Sequence, residues 1–311
     1  MVTNLGSGDH LGKQYVDQLI TITKAVRAPV DIVLPTGYAV LNADDASVLE
    51  MASHTKGKLL LFSSNPSSPA LLEHLRSDGR AVVRESERIV LCHGTRRTPV
   101  LELSGLRCPL LGLPAFLVED LLAAVAGAIA LGTSAEHIQA GLERSLDQGG
   151  IATFELAKTA TRPNGGLLVV TPARNPSALA AWGRHLQEQF PGRRSQLLVD
   201  PSADWRAADA ESMLAQISQY FSDVRIVLNS DARSFVEACE MTRPGITNRP
   251  KGQSSDLAAD LEQLLEASAH PDLVCVCPAN AAGFSSAVRH LETKGLNRGI
   301  SRGLASVRHS R

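Results

Sequence analysis

Four stretches in the second half of the chain are near-continuous apolar runs: Leu167 to Thr171, Gln196 to Asp200, Val224 to Asn229 and Leu273 to Cys277. A strand exposed on one face alternates apolar with polar residues. A run that does not alternate is a strand buried on both faces, and such strands belong to parallel sheets covered by helices on either side. Amphipathic segments fill the intervals: Ser177 to Phe190, Ala207 to Phe221, Ser234 to Glu240, Ser254 to Ala267 and Gly283 to Glu292. These read as the covering helices. From Gly165 onward the chain is therefore expected to be a Rossmann-like α/β domain.

The first half shows the same alternation less regularly. A helix is expected from Tyr15 to about Arg27, with Pro29 and Pro35 punctuating it. Short strands are predicted at Tyr38–Leu41, Lys58–Phe62, Ala81–Val83 and Arg88–Leu91, between clusters of Gly, Ser, Pro and Asn. The best-defined helix runs from about Pro114 to Leu131, with Gly132 at its C-cap. Ser134 caps a further one with the stripe Ile138, Leu142 and Leu146. Character changes at Gly149-Gly150. The expected domains are residues 1–149, residues 150–295 and a basic tail, 296–311. Arg243 to Gln253 reads as a surface loop.

Composition narrows the function classes. The 311 residues carry 31 Lys+Arg against 32 Asp+Glu, a net charge of -1 without local blocks of one sign. Neither nucleic acid nor an anionic membrane is expected as a partner. The longest apolar run, Leu121 to Leu131, is short of the ~20 residues of a membrane span. No signal-peptide pattern opens the chain, and an odd set of five cysteines without paired spacing suits a reducing interior, so a cytoplasmic location is expected.

Two polar constellations stand at strand ends. Asp9-His10 on a Gly-rich loop offers an imidazole to a metal or phosphate, or a histidine bonded to backbone. Asn42-Ala-Asp-Asp45 follows an apolar strand, where open α/β sheets bind ligands, but Asp45 could equally cap a helix over Ala46–Ala52. Cys275 and Cys277 point to one face of a strand, lack a second pair at zinc spacing, and read as core. Neither Cys92-His93 nor Cys108 forms a nucleophile arrangement. Gly-x-Ser-x-Gly, His-Glu-x-x-His, Gly-x-Gly-x-x-Gly and the phosphate loop Gly-x-x-x-x-Gly-Lys-[Ser/Thr] are all absent from the sequence.

In order along the chain, several motifs resemble the latter part of Mur ligase family proteins, most closely the cyanophycin synthetase branch. They are Val2-Thr-Asn4 through Asp9-His-Leu-Gly12, Gly37 to Asp45 with Val48 and Met51-Ala52, Asp120 to Ala124 with Ala130-Leu-Gly132, and Val169-Val170 with Ala173-x-Asn175-Pro176. The resemblance runs to about Leu291 and is strongest before residue 150. It implies the latter part of a central domain followed by a C-terminal α/β domain. It also implies ATP and Mg2+ as cofactors and an acyl phosphate attacked by an amine. By that resemblance His10 serves magnesium. Lys24 stands near a catalytic lysine, at a shorter spacing from His10 than the family's. Asn42, Asp45, Asp120, Arg174 and Asn175 lie towards the nucleotide.

Departures from the family pattern are specific. The family's phosphate loop and acidic magnesium ligand would precede Met1. Asp120 replaces an Asn near adenine, Thr153 occupies the place of a junction arginine, and Asp-Tyr-Ala-His-Asn-Pro appears as Thr171-Pro-Ala-Arg-Asn-Pro176. Arg174 could still reach a phosphate. The expectation is an ATP-dependent carboxylate–amine ligase by ancestry, acting on amino acids or peptides, incomplete or inactive as this chain alone, its first residue an internal start. The alternative is a non-catalytic paralogue serving as a binding or scaffold subunit, paired with a complete ligase or with itself. A distinct anion-binding activity using Arg174 and the loop around Arg243 ranks third.

Overall fold

The computed structural model describes residues 1–4, 16–104, 113–147, 158–161, 166–170, 176–201, 205–228, 230–246 and 273–277, with single positions at 257, 260, 261, 289 and 293. The chain divides into two compact units. One holds Met1–Cys108 and Gly112–Gln148, the other Pro109–Leu111 and Gly149–Arg311.

In the first unit, β1 (Tyr38–Asn42), β2 (Lys58–Ser63), β3 (Arg80–Glu85), β4 (Arg88–His93) and β5 (Arg96–Glu102) form one sheet in that order. β1 to β3 run parallel, and β4 and β5 return antiparallel. Alternation sorts the side chains between two faces. Leu41, Leu61, Ala81, Val83 and Cys92 join Val30, Val48, Met51, Leu71 and Leu75 in one buried cluster. The latter come from α1 (Val16–Asp31), α2 (Ala46–Leu49), the 3-10 turn behind it and α3 (Pro69–Arg76). α4 (Ala115–Ala130) packs against β1, β2 and β3, and α5 (Ala135–Asp147) against β5. Residue 2 adds a parallel bridge beside β1, its N–H donating to the Val40 carbonyl.

α1 runs through Pro29 to Asp31 rather than stopping before it. A proline in the last turn forfeits one backbone bond, and burial of Val30 in the core offsets that loss. Gly132 ends α4 with a φ of 86°, as a left-handed C-cap glycine should. β5 was not foreseen from sequence.

The second unit carries β6 (Lys158–Thr161), β7 (Leu167–Val170), β8 (Ser195–Val199), β9 (Asp223–Ile226) and β10 (Leu273–Cys277) in the order β6-β7-β10-β8-β9. All pairs are parallel except β6 with β7. The helices α6 (Pro176–Gln189), α7 (Ala210–Ile217) and α8 (Arg233–Thr242) connect them. The helix expected over Ala207 to Phe221 starts as a 3-10 turn and ends at Ile217, and the strand expected to reach Asn229 ends at Ile226. Cys275 and Cys277 are buried in β10, as core residues. The helices expected at Ser254–Ala267 and Gly283–Glu292, and the basic tail, fall outside the described residues apart from isolated positions.

Candidate functional site

Open parallel sheets bind ligands beyond the carboxyl ends of their strands. In the first unit that place is built from the ends of β1 and β2. Asn42 is buried, and its Oδ1 accepts the Asp44 N–H at 2.9 Å, folding the chain back at the strand end. That turn presents the Asp44 carboxylate to the end of β2. Ser63 Oγ donates a short hydrogen bond to Asp44 Oδ1. The Ser64 N–H and Oγ both donate to Oδ2, at 2.6 and 2.8 Å. Asn65 continues the shelf, its N–H donating to Ser63 Oγ at 2.9 Å and its Oδ1 accepting from the Ser67 N–H at 3.1 Å.

Asp45 faces the other way. Its Oδ1 accepts the N–H groups of Ser47 and Val48, at 2.9 and 3.1 Å, and so caps α2. The first half of α4 brings acidic groups to the same end of the sheet. Partial burial, the Asp44 charge and then the Asp120 charge push the Glu119 carboxyl above its ordinary value. Burial alone raises Asp120.

Of the other expected site residues, only Lys24 lies among the described ones. Lys24 is exposed on α1 and makes no hydrogen bond or ion pair among the described residues. α1 packs into the buried cluster formed by the helices before α4. His10, Thr153, Thr171, Arg174 and Asn175 lie outside the described residues. The structure adds Ser63, Ser64 and Glu119, which sequence reasoning did not select, and gives Asp44, named only within the Asn42 to Asp45 motif, the central place. A signal existed: Ser63-Ser-Asn-Pro-Ser-Ser-Pro69 directly follows an apolar strand.

Chemically, the shelf is self-satisfied. The Asp44 carboxylate already holds three donors, and Asp45 is spent on a helix cap. No group of three or more His, Cys, Asp or Glu side chains able to hold a metal ion occurs among the described residues. The described residues therefore give magnesium no ready-made cage. Burial pushes Cys92 up to about 11 and Cys239 and Cys275 up to about 12, so none of these three offers a thiolate near neutrality. No helix among the described residues is long and apolar enough to cross a membrane.

Against known proteins, no family profile matches the chain. Its sequence is 29% identical over 288 residues to cyanophycin synthetase from Synechocystis sp., covering 89% of this chain and 32% of that protein. The chain thus spans about a third of the length of that curated relative. Its fold is similar to MurF from Acinetobacter baumannii, with a TM-score of 0.55, 18% identity and coverage of 94% of this chain and 57% of that one. It is also similar to E. coli FolC in complex with ADP, with a TM-score of 0.52, 14% identity and coverage of 88% and 57%. The parallel sheets of both units fit the mixed α/β architecture of those structures. The chain is thus similar in sequence to cyanophycin synthetase along most of its length, and similar in fold to MurF and FolC.

Proposed function

We propose that the chain descends from ATP-dependent ligases that join a carboxylate to an amine of an amino acid or peptide, and that these 311 residues do not turn over ATP by themselves. The likeness to cyanophycin synthetase along 89% of the chain supports the ancestry. A single observation carries the second clause: no Gly-x-x-x-x-Gly-Lys-[Ser/Thr] loop occurs in the sequence. Phosphoryl transfer depends on backbone donors and a lysine that cradle the phosphates, and on metal ions that neutralise them. Each missing donor costs about 3 kcal/mol of transition-state stabilisation. The polar shelf at β1 and β2 offers no substitute, because its carboxylates and hydroxyls are bonded to one another.

On this reading residues 1–149 correspond to the later part of a ligase central domain and 150–295 to its C-terminal domain. Asn42 with the Asp44 turn shapes the wall on the nucleotide side. The test is a coupled assay for ADP release by the purified chain with Mg-ATP and pooled amino acids. Background rates are expected. Turnover that disappears on dialysis of the amino acids would overturn the proposal.

A second reading has its own support. Asp120, Thr153, Thr171 and Arg174 each depart from the family pattern, and a ligase kept for catalysis has no reason to lose these groups. That favours a non-catalytic subunit that binds a complete ligase or a second copy of itself. Sedimentation of the chain alone and with a full-length cyanophycin synthetase tests it. Unchanged monomer in both runs rules the reading out.

A further inference from the structure

The opposite end of the first unit's sheet holds a recess of about 970 Å³. Strand register explains its lining. Tyr38 pairs with Lys58 across β1 and β2, and Arg80, His93 and Arg96 form one row across β3, β4 and β5. All five line the recess. The end of α4 and the first turn of α5 close its far side, with Ile129, Ala130, Ser134 and Ala135.

The charges in this row are unbalanced. Arg80 Nη1 donates to Tyr38 Oη at 2.8 Å, and both Arg80 and Lys58 lie over the Tyr38 ring, at 5.5 and 5.6 Å. Neither has a carboxylate partner among the described residues, and Arg96 has no hydrogen-bonding or ionic side-chain partner among them. The sole acid among the described lining residues, Asp78, sits 3.6 Å from His93. Three arginines elsewhere in the unit have carboxylate partners, Arg88 with Glu102, Arg97 with Glu85 and Arg27 with Asp31, while Arg84 meets only the Ser86 carbonyl. Arg96 and Arg97 are neighbours on one strand, and only the one facing the recess is unmatched. Three cations without direct ion-pair partners in one concave space repel each other, Asp78 offsets only part of that repulsion, and an anion relieves the rest. The remaining lining sets the apolar Leu91, Val100 and Ile129 beside the polar His74, Thr98, Thr133 and Ser134. A concavity that joins an apolar wall to a few convergent charges can seat a small molecule and fix its orientation.

We propose that this recess binds a small organic anion, a phosphate or paired-carboxylate group on an apolar body. The charged group lies among Lys58, Arg80 and Arg96, and the body lies against Tyr38 and the apolar wall. The site is at the amino ends of β1 to β3, remote from the Asp44 shelf at their carboxyl ends, so it stands whether or not the ligase reading holds.

Titration calorimetry of the full chain at low salt tests it, with phenyl phosphate, phthalate and inorganic phosphate as probes. Phenyl phosphate or phthalate is expected to bind one-to-one, and whichever of the two binds tighter identifies the anionic group. Inorganic phosphate should bind at least tenfold more weakly, because it lacks the body. Lys58→Glu and Arg96→Glu should each weaken binding tenfold or more, and Arg96→Gln by less. All three are surface substitutions whose folding is checked by circular dichroism. Arg84→Glu, at the other end of β3, should bind as the parent does. Saturable binding by neither organic probe, or binding indifferent to both Lys58→Glu and Arg96→Glu, overturns the proposal. Inorganic phosphate binding as tightly as phenyl phosphate overturns the role of the apolar wall.

Discussion

At the scale of single residues, Asp44 and Asp45 are adjacent, chemically identical and differently employed. Asp44 joins the ends of two parallel strands through Ser63 and Ser64, while Asp45 holds the first turn of α2. Loss of either side chain should therefore be felt as stability. Asp45→Ala removes an N-cap, worth about 1 kcal/mol. Asp44→Ala removes a charged acceptor from three donors, of which those at the surface regain water, so about 1–2 kcal/mol is expected. Urea unfolding of Asp44→Ala, Ser64→Ala and the double variant measures the link directly. The double variant should lose less than the sum, and strict additivity would show that the two side chains do not cooperate.

Glu119 adds a pH dependence of known sign. Its carboxyl is raised in the folded state, so the folded chain holds that proton more tightly than the unfolded chain does. The penalty for ionising it is absent below the ordinary glutamate value. It grows as pH rises through the window up to the raised value and is complete above it. Glu119→Gln should accordingly stabilise the chain at pH 7 and give no gain at pH 3.5, as read from urea midpoints. Half of this site was legible in sequence. Asn42 to Asp45 announced themselves as polar residues ending an apolar strand. The partners of Asp44 lie 19 and 20 residues away, at the end of β2 and just past it, and no local pattern encodes which strand end a carboxylate will meet.

At the scale of elements, α6 contains a glycine that helix propensity alone would replace. Ala is better than Gly inside a helix by about 1 kcal/mol. In the folded chain, however, a Cβ on Gly183 would stand 2.6 Å from Tyr220 Cβ and 2.8 Å from the Phe221 ring. The glycine lets α6 lie close against the segment following α7. Gly183→Ala is expected to destabilise by about 1–3 kcal/mol in spite of its propensity gain, through overpacking. A rise in the thermal midpoint would mean that the contact yields freely. The same contrast between local preference and tertiary context decides which elements were readable. β7, β8 and β10 are buried along their whole length, and their apolar runs announce them. Among the described residues, β5 and β6 are edge strands paired on one side only. β5 begins Arg-Arg-Thr-Pro, is largely exposed at that end, and places Pro99 opposite Val90 where the register shifts. Proline is tolerated at edges and bulges, so its presence obscured the strand without preventing it.

At the scale of the whole molecule, the two units carry separate reporters. The chain has two tryptophans, Trp182 and Trp205, and both lie in the second unit. Both are buried, and Trp205 stands edge-on to Phe235 with ring centroids 5.0 Å apart. Tryptophan emission therefore follows the unfolding of that unit, whereas far-ultraviolet dichroism follows both sheets. Phe62 is buried in the first unit's sheet, and Phe235 in the second unit. Truncating either to Ala should cost its own unit about 3–5 kcal/mol, the usual loss for a buried phenylalanine. A chain of two cores need not unfold in one step. In urea, Phe62→Ala is expected to pull part of the dichroism curve to lower concentration and leave the emission curve in place. Phe235→Ala should move the emission curve and only the matching part of the dichroism. Emission and dichroism shifting together in Phe62→Ala would show that damage to one core unfolds the other, and that the units form a single cooperative body.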